Sequence, residues 1–67
     1  MEDLGKRFTY YPPKGDQAVR YAAIRVDAKN LAGVIDELAP DSREKSLAIT
    51  ALEEAVMWAN AAIARNE

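Results

Sequence analysis

Residues 16–42 read DQAVRYAAIRVDAKNLAGVIDELAPDS, and this stretch decides the fold. Its apolar side chains recur at alternating intervals of three and four residues, at Tyr21, Ile24, Ala28, Leu31, Ile35 and Leu38. Such intervals are typical of an amphipathic helix. Because Pro40 disfavours helical geometry at Ala39, we predict a first helix over about 16–38, with Asp16 as its N-cap.

A second amphipathic segment follows the proline. Its apolar positions, again three and four residues apart, are Ile49, Leu52, Val56, Ala59 and Ile63. Either Ser42 is the N-cap, or Asp41 is, with Glu44 three residues later at the spacing of a capping box. We predict a second helix over about 42–65. A connection of only a few residues makes the two helices antiparallel neighbours.

The first 15 residues have a different composition, with aromatic residues, two prolines and glycine: Phe8, Tyr10, Tyr11, Pro12, Pro13 and Gly15. Proline fixes its own φ and pushes the preceding residue towards extended geometry. We therefore predict an extended N-terminal arm over 1–15. Residues 1–67 are expected to form a single all-α domain, an antiparallel two-helix hairpin with this arm.

The chain is short for a hydrophobic core. It has 67 residues, 13 of them alanine, and no cysteine for a disulfide. A domain of ~60 residues buries only about 60% of its unfolded surface, so we expect assembly into a homo-oligomer. The surface that we expect to pack against other copies combines Met57 and Trp58 with a stripe of Ala48, Ala51, Ala55, Ala59 and Ala62. The alternative explanation of the stripe is the high helix propensity of alanine.

Composition excludes most catalytic chemistry. Without His or Cys the chain has no Ser-His-Asp triad, thiol nucleophile or Cys/His zinc site. It also lacks a glycine-rich phosphate loop. We expect no enzyme activity, no metal and no cofactor.

Charge and hydropathy limit the partners. The net charge is −2, so we expect no long nucleic acid, although a small anion is compatible. The longest uncharged run is too short to cross a bilayer, and residues 1–5 do not resemble a signal peptide. These features predict a cytoplasmic protein with no membrane partner.

Chemically useful side chains collect at one end of the hairpin, where helix 1 starts and helix 2 finishes. They are Lys6, Arg7, Phe8, Tyr10, Tyr11, Lys14, Arg20, Arg25, Trp58, Asn60 and Arg65. Aromatic rings stack on bases, amides hydrogen-bond base edges, and guanidinium groups bind phosphate. Binding of a nucleotide is one hypothesis. Structural roles are the alternative: Trp58 and Asn60 in an interface, and Arg65 interacting with the helix dipole.

Several stretches resemble the phage hairpin-domain family of anti-CBASS and anti-Thoeris proteins. They are RFTYYPPKGDQ at 7–17, with Arg20-Tyr21 and Ile24-Arg25 after it, PDSREKS at 40–46 and MWANAAIARN at 57–66. The resemblance covers nearly the whole chain.

This resemblance implies a sponge that sequesters cyclic nucleotide messengers of bacterial immunity in the cytoplasm of the infected host, in pockets between the protomers of an oligomer, commonly a hexamer. The ligands would be cyclic dinucleotides, cyclic trinucleotides or cyclic ADP-ribose isomers. Phe8 would stack on the ligand, and Tyr10 with Arg25 would contact phosphate. Asn60 and Arg65 would come from helix 2 of a neighbour, and Tyr11 stands where the family is expected to have His. The competing hypothesis is a small helical adaptor that binds a host protein through its Ala/Met/Trp face.

Overall fold

The computed structural model describes residues 4–67, and this part of the chain contains helices and no strand. The three helices are α1, Leu4–Phe8, α2, Gln17–Leu38, and α3, Arg43–Asn66. Hydrogen bonds join Arg20 to Glu67 at one end of the long helices and Lys45 to Asp36 at the other. The long helices are therefore antiparallel, as the four-residue connection requires.

The facing surfaces of α2 and α3 follow the predicted period, with one correction. In α3 all five predicted apolar positions are partly covered, whereas in α2 Leu31 and Leu38 are 49% and 77% exposed. Ala32 and Ala39 are partly covered instead. The reason is geometric, because a pattern with a mean spacing of 3.5 residues drifts by about 20° per heptad around a straight helix.

The predicted extended arm is wrong for residues 4–8, which form α1; residues 1–3 of that arm lie outside the described residues. Contacts with the end of α3 accompany this helix. Lys6 Nζ donates to Asn66 Oδ1 at 2.8 Å, and Arg65 donates to the carbonyl of Arg7 at 3.5 Å. Local sequence pattern does not report contacts between residues so distant in the chain.

The segment between α1 and α2 contains no helix or strand over 9–14. The Tyr11 hydroxyl donates to the carbonyl of Lys6 at 3.0 Å and ties this segment back to α1. Gly15 then has a φ of +57°, a left-handed conformation that glycine adopts without the cost paid by other residues. The chain turns there into α2.

The two long helices begin differently. Ser42 is the N-cap of α3, since its hydroxyl accepts a hydrogen bond from the backbone N–H of Lys45 at 3.1 Å. Asp16 is the N-cap residue of α2, as predicted, but its side chain makes no capping hydrogen bond. Its carboxylate instead accepts from Arg20 Nε at 3.1 Å, a charged donor that outcompetes a backbone N–H.

The hairpin has little interior. No hydrophobic side chain within residues 4–67 is buried. The accessible surface is 5338 Å², against ~4,200 Å² for a typical folded monomer of this mass. The radius of gyration is 14.8 Å, against about 11 Å for a compact domain of this length. One chain is thus a thin plate with uncovered apolar surface.

Helix α3 is, by length and composition alone, apolar enough to cross a membrane, and none of it is buried within the chain. Core helices of soluble proteins meet the same criterion. The adjacent carboxylates of Glu53 and Glu54 lie within this helix, and charged groups are costly in hydrocarbon. The sequence of α3 therefore fits a helix that is covered by protein better than a helix that crosses a membrane.

Candidate functional site

The open end of the hairpin is closed by a cluster that we call the end clamp, made of Gln17, Arg20 and Glu67. Arg20 Nη1 donates to Glu67 Oε2 at 2.7 Å, and its Nη2 donates to Oε1 of the same carboxylate. Two hydrogen bonds from one guanidinium group to one carboxylate pair the charges and also hold the two side chains in a defined orientation. The start of α2 is therefore tied directly to the residue that follows α3.

Gln17 is the one buried residue of the described part, with 3% of its surface exposed. Its Oε1 accepts from the backbone N–H of Lys14 at 3.1 Å, and its Nε2 donates to Glu67 Oε1 at 3.2 Å. Lys14 Nζ also donates to the main-chain oxygen of Glu67 at 2.8 Å. The clamp thus holds together the end of the 9–14 segment, α2 and the end of α3.

Electrostatics reinforce the clamp. The hydrogen bonds from Arg20 and then Gln17 lower the pKa of Glu67 to about 2. The bond to Glu67 raises the pKa of Arg20 above its ordinary value. Both groups therefore remain charged at neutral pH.

An open groove lies beside the clamp, with a volume of about 460 Å³. We call it the tyrosine groove. The 9–14 segment, α2 and α3 each form one wall, and the lining residues are Thr9, Tyr10, Tyr11, Tyr21, Arg25, Asn60, Ala61, Ala64 and Arg65. Five of the seven ligand-binding residues expected from sequence therefore meet in one place: Tyr10, Tyr11, Arg25, Asn60 and Arg65.

The groove is suited to an anion. Two guanidinium groups line it, and none of the lining residues is acidic. Arg25 is exposed and forms no ion pair within residues 4–67. Within residues 4–67, Arg65 makes only the long contact to the carbonyl of Arg7, at 3.5 Å. Both cations can thus engage phosphate without breaking an ion pair within residues 4–67.

Asn60, one of the lining residues, carries an unsatisfied polar atom. Its Oδ1 is buried and has no hydrogen-bond partner within the described part of the chain. Buried amide oxygens are normally paired. Because this oxygen is covered, a donor from a ligand or another copy of the chain would reach it only after the side chain turned.

Two predicted residues lie outside the tyrosine groove. Phe8 ends α1 and is 80% exposed, so its ring is available to a partner or ligand. Lys14 lines the neighbouring groove on the other side of Tyr11, and its Nζ is held by Glu67. In the single chain Lys14 therefore stabilises the end of the hairpin.

Trp58 belongs to a third groove, between α1 and the last turns of α3, with Lys6 and Arg65 among its neighbours. Its ring is 62% exposed, and its Nε1 donates to Glu54 at 3.1 Å. Met57, which is 63% exposed, is the residue before it. The Met/Trp surface expected from sequence is therefore uncovered in one chain.

Sequence reasoning missed the end clamp. Arg20 was expected near the site, but Gln17 and Glu67 were assigned no role. No local signal identifies them, because their contact spans 50 positions of the chain. No cluster of three or more potential metal ligands occurs in the part of the chain that the structure describes.

A protein-family match covers nearly the whole chain. The family described as Acb2/Tad1, hairpin domain, matches residues 2–64. The match includes all residues of the tyrosine groove except Arg65, and it excludes Glu67. No curated protein and no solved structure matches the chain.

Proposed function

The chain belongs to the Acb2/Tad1 hairpin-domain family of anti-CBASS and anti-Thoeris sponge proteins, and from that premise we propose that it sequesters cyclic nucleotide messengers without cleaving them. The ligands would be cyclic dinucleotides, cyclic trinucleotides or cyclic ADP-ribose isomers. Binding in the cytoplasm of an infected bacterium would keep the messenger from its effector and block CBASS or Thoeris signalling.

The observation that supports this function is the composition of the tyrosine groove. It combines three aromatic rings, two guanidinium groups and the Asn60 side chain. Rings can stack on bases, guanidinium groups can bind phosphate in a fork, and an amide can hydrogen-bond a base edge. Its volume of about 460 Å³ lies in the usual range for small-molecule sites.

The required affinity is physically attainable. An effective sponge needs a Kd near 1 nM, which corresponds to about −12 kcal/mol. A cyclic dinucleotide of about 45 heavy atoms can reach that value at ~0.3 kcal/mol per atom. Sequestration needs no catalytic group, in keeping with a chain that lacks His and Cys.

The complete site would lie between protomers of a homo-oligomer, which we propose is a hexamer. The accessible surface of one chain exceeds that of a typical monomer by roughly 1,100 Å², comparable to the ~800 Å² that each partner buries in a standard interface. A second copy would cover the open side of the groove. A two-fold interface supplies each arginine twice, which suits a ligand with two phosphates.

Native mass spectrometry tests the proposal. Spectra are recorded with and without a panel of cyclic dinucleotides, cyclic trinucleotides and cyclic ADP-ribose isomers, and the bound ligand is then released by denaturation. We expect an oligomer that releases intact ligand. A folded monomer would refute the shared site, and cleaved product would refute sequestration.

The second candidate function is an adaptor that binds a host protein. The observation that favours it is the exposure of Met57 and Trp58, which are 63% and 62% exposed in the single chain. Thermal denaturation separates the two functions. A sponge gains about 2.7 kcal/mol of stability at a ligand concentration 100 times its Kd, whereas an adaptor is unaffected by the whole panel.

A further inference from the structure

The geometry points to the end clamp as the positioning element of the tyrosine groove: Gln17, Arg20 and Glu67 hold its three walls in the ligand-binding arrangement without touching the ligand. This role rests on the proposed function, because the ligand is the proposed cyclic nucleotide. None of the three clamp residues lines the groove.

Each wall is connected to the clamp through a short stretch of chain. Arg65 lies two residues before Glu67, and Arg25 lies five residues after Arg20 in the same helix. Tyr10 and Tyr11 are followed by two prolines and then by Lys14, whose backbone N–H is held by Gln17. Tightly held supporting groups are what keep binding side chains in a productive geometry.

Other polar contacts at this end join α1 to α3, since Lys6 Nζ donates to Asn66 Oδ1 at 2.8 Å. No hydrophobic side chain within residues 4–67 is buried, while Gln17 is 3% exposed. The contact between Arg65 and the carbonyl of Arg7 is long, at 3.5 Å. At this end of the single chain, the clamp therefore supplies the described side-chain hydrogen bonds that join α2, which carries Arg25, to the residue that follows α3, which carries Arg65.

A similar ion-pair cluster at the opposite end of the hairpin provides a matched control. This loop clamp consists of Lys45, Asp36 and Asp41. Lys45 Nζ contacts Asp36 Oδ1 at 3.0 Å and Asp41 Oδ1 at 2.9 Å. Asp36 lies half the length of α2 beyond Arg25, the nearest groove residue in that helix, or about 16 Å along the helix axis.

The test compares Glu67→Gln with Asp36→Asn. Each variant neutralises one clamp carboxylate and raises the net charge by one. Simple electrostatics predicts that Glu67→Gln binds an anion more tightly, since a negative charge is removed and Arg20 keeps only Asp16 as a carboxylate partner within residues 4–67. A positioning role of the end clamp predicts instead that Glu67→Gln binds the ligand more weakly.

Binding of cyclic di-AMP, cyclic GMP–AMP and a cyclic ADP-ribose isomer is measured by titration calorimetry. For whichever probe the wild-type protein binds, we expect Glu67→Gln to weaken binding on the order of tenfold, a usual magnitude for coupling between distinct groups. Asp36→Asn should bind within about twofold of wild type. Equal or tighter binding by Glu67→Gln, or an equal loss in Asp36→Asn, overturns the inference.

Hydrogen exchange of the protein without ligand gives a readout that does not depend on the proposed function. The additional variant Gln17→Met keeps the side-chain volume and removes both hydrogen bonds without changing the charge. We expect faster amide exchange in α3 over 62–66 and at the start of α2 in Gln17→Met and Glu67→Gln, and not in Asp36→Asn. Unchanged exchange there overturns the role of the clamp, whereas a protein that binds none of the probes but shows this pattern overturns only the proposed ligand.

Discussion

Replacing Arg25 by alanine tests the proposed phosphate contact in the tyrosine groove. The Arg25 guanidinium is exposed and has no ion-pair partner within residues 4–67. Its removal breaks no ion pair there, so we expect a stability change within ~0.5 kcal/mol. A hydrogen bond to a charged group contributes about 1.5–3 kcal/mol. We therefore expect the free energy of ligand binding to become less favourable by about 2 kcal/mol or more. The Kd should rise roughly 30-fold.

Lys29→Ala is the matched control. Lys29 is exposed and lies one helical turn beyond Arg25 in α2, but it lines the apolar groove between the long helices and not the tyrosine groove. Both variants lose one positive charge. Titration calorimetry at low and physiological salt, with thermal denaturation of each protein, separates a specific contact from general attraction of an anion. Wild-type affinity in Arg25→Ala, or an equal loss in Lys29→Ala, would refute the assigned role.

Three further predictions concern stability and can be checked by thermal or chemical denaturation. Gly15→Ala should destabilise the protein by about 1 kcal/mol, because the φ of +57° is strained for alanine although the space around it is open. Gly33→Ala within α2 should instead stabilise the protein by ~0.5–1 kcal/mol. Equal effects of the two substitutions would contradict the backbone argument. Ser42→Ala removes the N-cap bond of α3 and should cost about 1 kcal/mol, or a Tm drop of roughly 4–8 °C, and an unchanged Tm would reject the cap. The pKa of Glu67 is lowered from 4.5 to about 2, so its contribution to stability is present above pH 4.5 and is lost as the pH falls towards 2; Glu67→Gln should flatten this part of the pH profile, and an unchanged profile would contradict the ion pair.

Much of the fold could be predicted from local pattern. The intervals of three and four residues in both segments, and Pro40 between them, predicted two helices whose bounds in the structure are Gln17–Leu38 and Arg43–Asn66. Ser42 was one of two N-caps that the sequence allowed, with Asp41 as the other, because N-capping depends on backbone N–H groups within three residues; the structure selects Ser42. Such signals are local in the chain, and a helix forms and ends by local hydrogen bonds.

The candidate site was only partly predictable. The antiparallel geometry predicted that these residues lie at one end of the hairpin, and five of them line one groove there. Phe8 and Lys14 lie outside it in the single chain. Phe8 is the last residue of α1, and Lys14 Nζ is hydrogen-bonded to Glu67. Whether another copy places them at the ligand is part of the proposed function.

Sequence by itself determined that the chain forms a hairpin of two amphipathic helices with too little apolar volume for a core, since period and composition are properties of the chain alone. Tertiary structure decided that Leu4–Phe8 is helical and that Gln17, Arg20 and Glu67 close the open end. It also decided which polar side chains share a groove. These outcomes depend on groups about 50 or 60 positions apart. The packing of the helices brings such groups together, and no periodic pattern in the sequence predicts their contact.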